Sequence, residues 1–129
     1  MFESLDFVYV PTSDVDEAVP RYVEALGAEL VWKIRGMETV VACLRVAGSG
    51  PRILLSGHLE GEAPILVYRV GDYDDAVSRL RAAGVSEIYE LEIPQGPCAS
   101  FHLPDGQRAA VYQLTRPGAA DHFEGRVDD

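Results

Sequence analysis

The sequence predicts an α+β fold built from two βαβββ modules, and three observations carry that prediction. Short runs of alternating apolar residues mark strands, as in "LDFVYV" and "RAAVYQ". One-sided apolar stripes at helical spacing occur twice, each directly after an aspartate suited to cap a helix. The two stripes also match: Val15, Ala18, Val19 and Tyr22 are followed 58 positions later by Tyr73, Ala76, Val77 and Leu80.

Taken in order, Ser4 to Val10 alternates as a strand, and Asp14 with Glu17 forms a capping-box pattern ahead of the first helix. Gly27 is placed to end that helix, while Pro20 removes one of its backbone hydrogen bonds and predicts a kink or distortion. Three strands follow at Glu29 to Ile34, Thr39 to Val46 and Arg52 to Ser56. The second module repeats the order: strand Ile65 to Val70, a helix capped by Asp72 and closed at Gly84, then strands Ile88 to Ile93, Cys98 to Leu103 and Arg108 to Gln113. "PQGP" and "PDGQ" read as turns. Neither half can cover its own sheet, so residues 1–114 are expected to be a single domain, with module one at 4–57, a linker at 58–64 and module two at 65–114. Residues 115–129 show no period and are expected to be a frayed acidic tail.

A length of 129 residues suits one core that needs no staples. The formal charge of −10 disfavours nucleic acid and anionic membrane surfaces as partners and eases approach of a cationic small molecule. No segment reads as a signal peptide or reaches membrane-spanning length, and two cysteines are too few for a disulfide framework. A cytoplasmic location is the expectation.

The stretches "VPTSDVDEAVPRYVEALG", "VYRVGDYDDAVSRLRAAG" and "LPDGQRAAVYQL", together with the duplication, resemble the glyoxalase/bleomycin-resistance/dioxygenase group, also called the vicinal oxygen chelate superfamily. The resemblance implies that the modules form a curved, incomplete β-barrel with helices outside, a cavity on its concave side, and a homodimer. It further implies a divalent metal held by a His on the first strand and a Glu on the last strand of each module. The matching places here are Phe7, Leu54, Ile65 and Ala110. All four are hydrocarbon, with no lone pair to offer, so neither a metal nor another cofactor is expected. Among the immediate neighbours only Asp6 could ligate.

Alternation divides each strand into two faces. Val8 and Val10, Ile53 and Leu55, Leu66, Tyr68 and Val70, and Ala109 and Val111 suit a core beneath the helices. The other face carries Phe7 and Tyr9, Arg52, Arg69, Arg108 and Tyr112, a mixture of apolar wall and polar groups that suits a small organic ligand. Arginines near strand ends can equally lie in water with their stems along the sheet. Trp32 is a stacking candidate, and His102, with Tyr112 on the next strand, is the candidate proton-transfer group. The expected function is metal-free binding of a drug or metabolite; the alternative is an enzyme of the same superfamily, a lyase, isomerase or dioxygenase. An inward-facing arginine would favour an anionic guest over a cationic one.

Overall fold

The computed structural model describes residues 1–36, 38–58 and 63–129. Its elements are β1 (Phe2–Pro11), α1 (Val15–Leu26), β2 (Glu29–Gly36), β3 (Thr39–Arg45), β4 (Arg52–Ser56), β5 (Ile65–Val70), α2 (Tyr73–Ala82), β6 (Tyr89–Ile93), β7 (Gly96–His102) and β8 (Arg108–Gln113), with a 3-10 turn at Ala119–His122. This is the α+β arrangement, βαβββ twice over, that the internal repeat predicts. Of the predicted linker, residues 59–62 lie outside the described residues. The chain divides into two compact units, Phe7–Pro64 with Phe123–Asp129, and Ile65–His122 with Met1–Asp6, so β1 contributes to both.

In the unit that contains α1, the strand order is β2-β3-β4-β1. β1 runs parallel to β4, and the other pairs are antiparallel. Asp14 caps α1 by accepting the Glu17 backbone N–H at 3.0 Å, and Gly27 closes it at φ 66°. Pro20 sits inside a helix that remains one unbroken element from Val15 to Leu26. Its missing N–H costs one bond, which burial of Val15 and Val19 against Ala42, Leu44 and Leu55 outweighs. Between β2 and β3 the register steps from Leu30↔Leu44 to Trp32↔Cys43, leaving Val31 as the extra residue of a bulge.

Residues 123–129 depart from the frayed tail that their composition suggests. The Lys33 N–H donates to the Arg126 carbonyl at 2.8 Å, the Asp128 N–H to the Lys33 carbonyl at 2.9 Å, and the Gly125 N–H to the Val31 carbonyl at 3.0 Å. Asp128 also accepts the Arg35 backbone N–H at 2.8 Å. β2 ends its strand order, so its outward backbone groups lack a partner strand, and this segment supplies one.

In the unit that contains α2, the order is β5-β8-β7-β6, with β5 and β8 parallel. Asp72 caps α2 through the Asp75 N–H, and Tyr73, Ala76, Val77 and Leu80 pack on Val70, Ala99, Phe101, Ala109 and Val111. Phe2 stacks on Tyr68 with ring centroids 4.6 Å apart. The β6–β7 hairpin turns at Gly96, where φ is 154° and a Cβ would run into the Gln113 carbonyl and Thr115. Arg116 clasps the same turn, donating to the carbonyls of Pro94 and Ile93 at 2.8 Å each.

Gly27, by contrast, has open space around the position of a Cβ. Gly27→Ala should therefore cost only the left-handed strain of about 1–2 kcal/mol. Gly96→Ala adds a backbone collision and should cost about 3 kcal/mol or more. Urea denaturation of both variants checks this ranking, and equal losses would contradict it.

Candidate functional site

The predicted site residues fall into three groups, each within one unit. In the α1 unit, strand pairing puts Phe7 across from Arg52 and Tyr9 across from Leu54, with Cys43 beside Leu54. Alternation from Leu30, which packs beneath α1, would send Trp32 to the helix side as well. The bulge at Val31 reverses it, so Trp32 joins Phe7, Tyr9, Val31, Val41, Cys43 and Leu54 on the opposite face. Arg52 is 29 % exposed and lies 3.6 Å from Glu124, while the Trp32 ring meets Phe123 at 5.6 Å. Burial raises the Cys43 thiol above its ordinary value, and the Arg52 charge opposes that shift. At the end of this face the buried Ser56 hydroxyl lies 2.7 Å from His58 Nδ1.

In the α2 unit, Arg69 and Tyr112 face one another across β5 and β8, with Cys98 next to Tyr112 on β7. The Tyr112 hydroxyl, on a side chain only 2 % exposed, donates to Asp6 Oδ2. Ser4 Oγ donates to the other Asp6 oxygen at 2.5 Å. Arg69 Nε lies 3.5 Å from Asp6 and 3.7 Å from Glu3, ion pairs that leave this buried nitrogen without a hydrogen-bond acceptor among the described residues. Burial, and then the hydrogen bond to Asp6, push the Tyr112 phenol well above its usual range. Asp6 was legible only as a residue able to ligate. Its union with Tyr112, 106 positions away, leaves no local trace in the sequence.

The third group is His102 and Arg108, Cα partners across β7 and β8. They line a cavity of about 120 Å³ with Ile65, Glu87, Tyr89 and Ser100. The expected pairing of His102 with Tyr112 is not what the register provides. Tyr112 stands opposite Cys98, four residues from Arg108, a separation of about 13 Å along an extended strand. His102 is exposed, and the group beside it is a guanidinium rather than a phenol.

Phe7 and Leu54, two of the positions where the resemblance would place metal ligands, belong to the apolar cluster just described. Ile65 and Ala110 are buried on the Arg108–Tyr112 side of β5 and β8. Among the described residues, no three His, Cys, Asp or Glu side chains gather where they could hold a metal ion. Asp6, the one neighbouring ligand candidate, spends its oxygens on Tyr112, Ser4 and Arg69. The residues present do not fit the family's metal.

Comparison with known proteins places these features in context. The family model "Glyoxalase/Bleomycin resistance protein/Dioxygenase superfamily" matches residues 4–106. No curated protein sequence matches the chain. Among solved structures, methylmalonyl-CoA epimerase from Mycobacterium tuberculosis is similar at 26 % identity and a TM-score of 0.74, over 92 % of this chain and 93 % of that one. A selenomethionine methylmalonyl-CoA epimerase shares the fold at 19 % identity and 0.69, over 90 % and 98 %. A Streptomyces coelicolor methylmalonyl-CoA epimerase variant in complex with 2-nitronate-propionyl-CoA does so at 17 % and 0.70, over 89 % and 99 %.

Two outcomes test the geometry. Burial pushes the Cys98 thiol up to about 11 from an ordinary 9.0, so that site favours the folded state below pH 9 and loses its contribution as pH climbs toward 11. Both thiols are buried, and a thiol-specific reagent at pH 8 should label neither in the native protein and both after unfolding. Tyr112→Phe should cost about 1–2 kcal/mol, because Asp6 loses its buried donor. Chemical denaturation reads that loss.

Proposed function

The chain belongs to the glyoxalase/bleomycin resistance protein/dioxygenase superfamily, and from that premise we propose that it binds a small organic anion without a resident metal ion. The observation that carries this reading is the identity of the four side chains at the expected ligand positions, Phe7, Leu54, Ile65 and Ala110. Hydrocarbon there removes the Lewis acid and leaves a surface on which ligand burial, rather than coordination, supplies affinity.

The charge of the guest follows from distance. The net charge of −10 favours a cation at long range, but exposed charges are screened beyond roughly 8–10 Å at physiological salt. At contact range the relevant groups are Arg52, Arg69 and Arg108, all on strand faces turned away from the helices. A guanidinium pairs a carboxylate or phosphate through two parallel N–H donors, and a nearby arginine decides more than a distant carboxylate. Within the α1 unit Phe7, Tyr9 and Trp32 would supply the apolar contact and Arg52 the polar anchor; within the α2 unit the candidate anchors are Arg69, Arg108 and Tyr112. A homodimer and a cytoplasmic location complete the reading; no helix of the described residues is long and apolar enough to cross a membrane.

A second reading, a metal-independent enzyme of isomerase type, is favoured by one observation: His102, Ser100 and Arg108 line a single cavity. There an arginine could orient an anionic substrate beside an imidazole able to move a proton. The likeness to an epimerase at 26 % identity supports the same idea.

Elemental analysis of the purified protein should find no stoichiometric divalent metal, and calorimetric titration should show saturable binding of anionic metabolites but not of cationic glycopeptides. A bound divalent ion, or a preference for the cations, would overturn the first reading. His102→Ala separates the two: retained affinity with lost turnover supports an enzyme, and unaltered turnover removes His102 from the chemistry.

A further inference from the structure

We propose that Trp32 and Arg52 form a subsite for a planar aromatic carboxylate, and that Phe123 and Glu124 occupy it in the resting protein as a stand-in for that ligand. This deepens the binding function proposed above and rests on it. From Gly125 onward the chain is tied to β2 through backbone bonds of 2.8–3.0 Å at Val31 and Lys33. The two residues before that ladder send a phenyl ring to Trp32 and a carboxylate to Arg52. A ring next to a carboxylate, laid over an indole next to a guanidinium, is a copy of the complementary ligand chemistry.

The ring contact has the ordinary geometry of a tilted aromatic pair, and the ion pair is the looser of the two. The rings are tilted by 52° at 5.6 Å, and Arg52 lies 3.6 Å from Glu124, well beyond the 2.7–2.9 Å or so of a charge-assisted hydrogen bond. Glu124 is half exposed, so water screens the pair. The backbone ladder is short and regular where the ion pair is long. Gly125, at φ 79°, stands between them, a conformation that glycine adopts freely. Lifting the Phe123–Glu124 pair gives up the 3.0 Å bond from the Arg126 N–H to the Phe123 carbonyl, while the bonds to Val31 and Lys33 stay in place. A free carboxylate reaching Arg52 at full hydrogen-bond distance, with a flat ring on Trp32, makes the same two contacts in better geometry. The bulge at Val31 ties the parts together, since it turns Trp32 onto the Arg52 face and its carbonyl receives the Gly125 N–H.

Closed occupancy lowers apparent affinity by the fraction of molecules that are open, so emptying the subsite should tighten binding. The full-length chain is titrated with 2-naphthoate, and Trp32, the sole tryptophan, reports by fluorescence while calorimetry gives Kd. The Phe123→Ala/Glu124→Gln variant should bind about tenfold more tightly than the unaltered chain, as for a subsite closed about nine-tenths of the time. Its Trp32 emission should move to the red before any ligand is added. Arg52→Gln should abolish the preference for 2-naphthoate over neutral 2-naphthalenemethanol. Equal affinity in the variant and the unaltered chain, or equal binding of the alcohol and the acid, overturns this proposal. If 2-naphthoate binds both forms equally and binding is lost instead in Arg108→Gln, the subsite is wrong while the general anion-binding function survives. Absence of binding to either form removes both.

Discussion

Apart from Trp32, the candidate site residues owe their positions to the two-residue alternation of the strands, because that alternation decides which side chains lie under a helix and which are left for chemistry. On β4, Ile53 and Leu55 pack toward α1 while Arg52 and Leu54 face the other way. On β8, Ala109 and Val111 pack beneath α2 while Arg108 and Tyr112 do not. Since the helix side is apolar in both units, slipping any of these strands by one residue would bury an arginine beneath a helix. That penalty far exceeds what a change of site chemistry could return. The apolar layer beneath each helix therefore holds the opposite face in register.

On β2 the alternation is interrupted next to Trp32. A bulge on β2 lets Leu30 stay with the α1 core and still delivers Trp32 to the Phe7 and Tyr9 face. Without Val31 as the extra residue, either the core would lose a leucine or the opposite face would lose its only indole. Bulges also tighten strand twist and concentrate at edges, and β2 is the last strand in its order. Residues 123–129 then dock where that edge would otherwise offer bare N–H and C=O groups.

Local order was largely legible in the sequence, and long-range pairing was not. β4, β5 and β8 have the bounds that alternation predicts, and Asp14, Asp72 and Gly27 act as the caps and stop their types suggest. β1 and β2 run longer than their patterns, because strand ends are set by partners rather than by composition. The acidic residues 123–129 read as solvated since nothing local holds them; their anchors, Val31, Lys33 and Arg35, lie more than ninety positions away. The same distance hid the bond from Tyr112 to Asp6. His102 lies two and four residues from Ser100 and Cys98 on β7, and its cross-strand partner is Arg108, because the register is fixed by the turn at Gly106 and not by chemical affinity between side chains.

Charge is distributed in a way that the total conceals. Several carboxylates serve the fold: Asp14 and Asp72 cap helices, Glu17 and Asp75 pair with arginines one turn on, and Asp16 joins Lys33 and Arg35. Asp16 and Asp128 are held below the usual carboxylate range by such partners, so they stay ionised at any physiological pH. What remains is a surface that is negative on average and strand faces that carry guanidinium groups. A small anion approaching through salt water feels the average weakly and the arginine strongly, because Coulomb attraction at contact is many times that across a Debye length. Hydrocarbon at positions 7 and 54 leaves the Arg52 guanidinium as a cationic hydrogen-bond donor on the α1 unit's face.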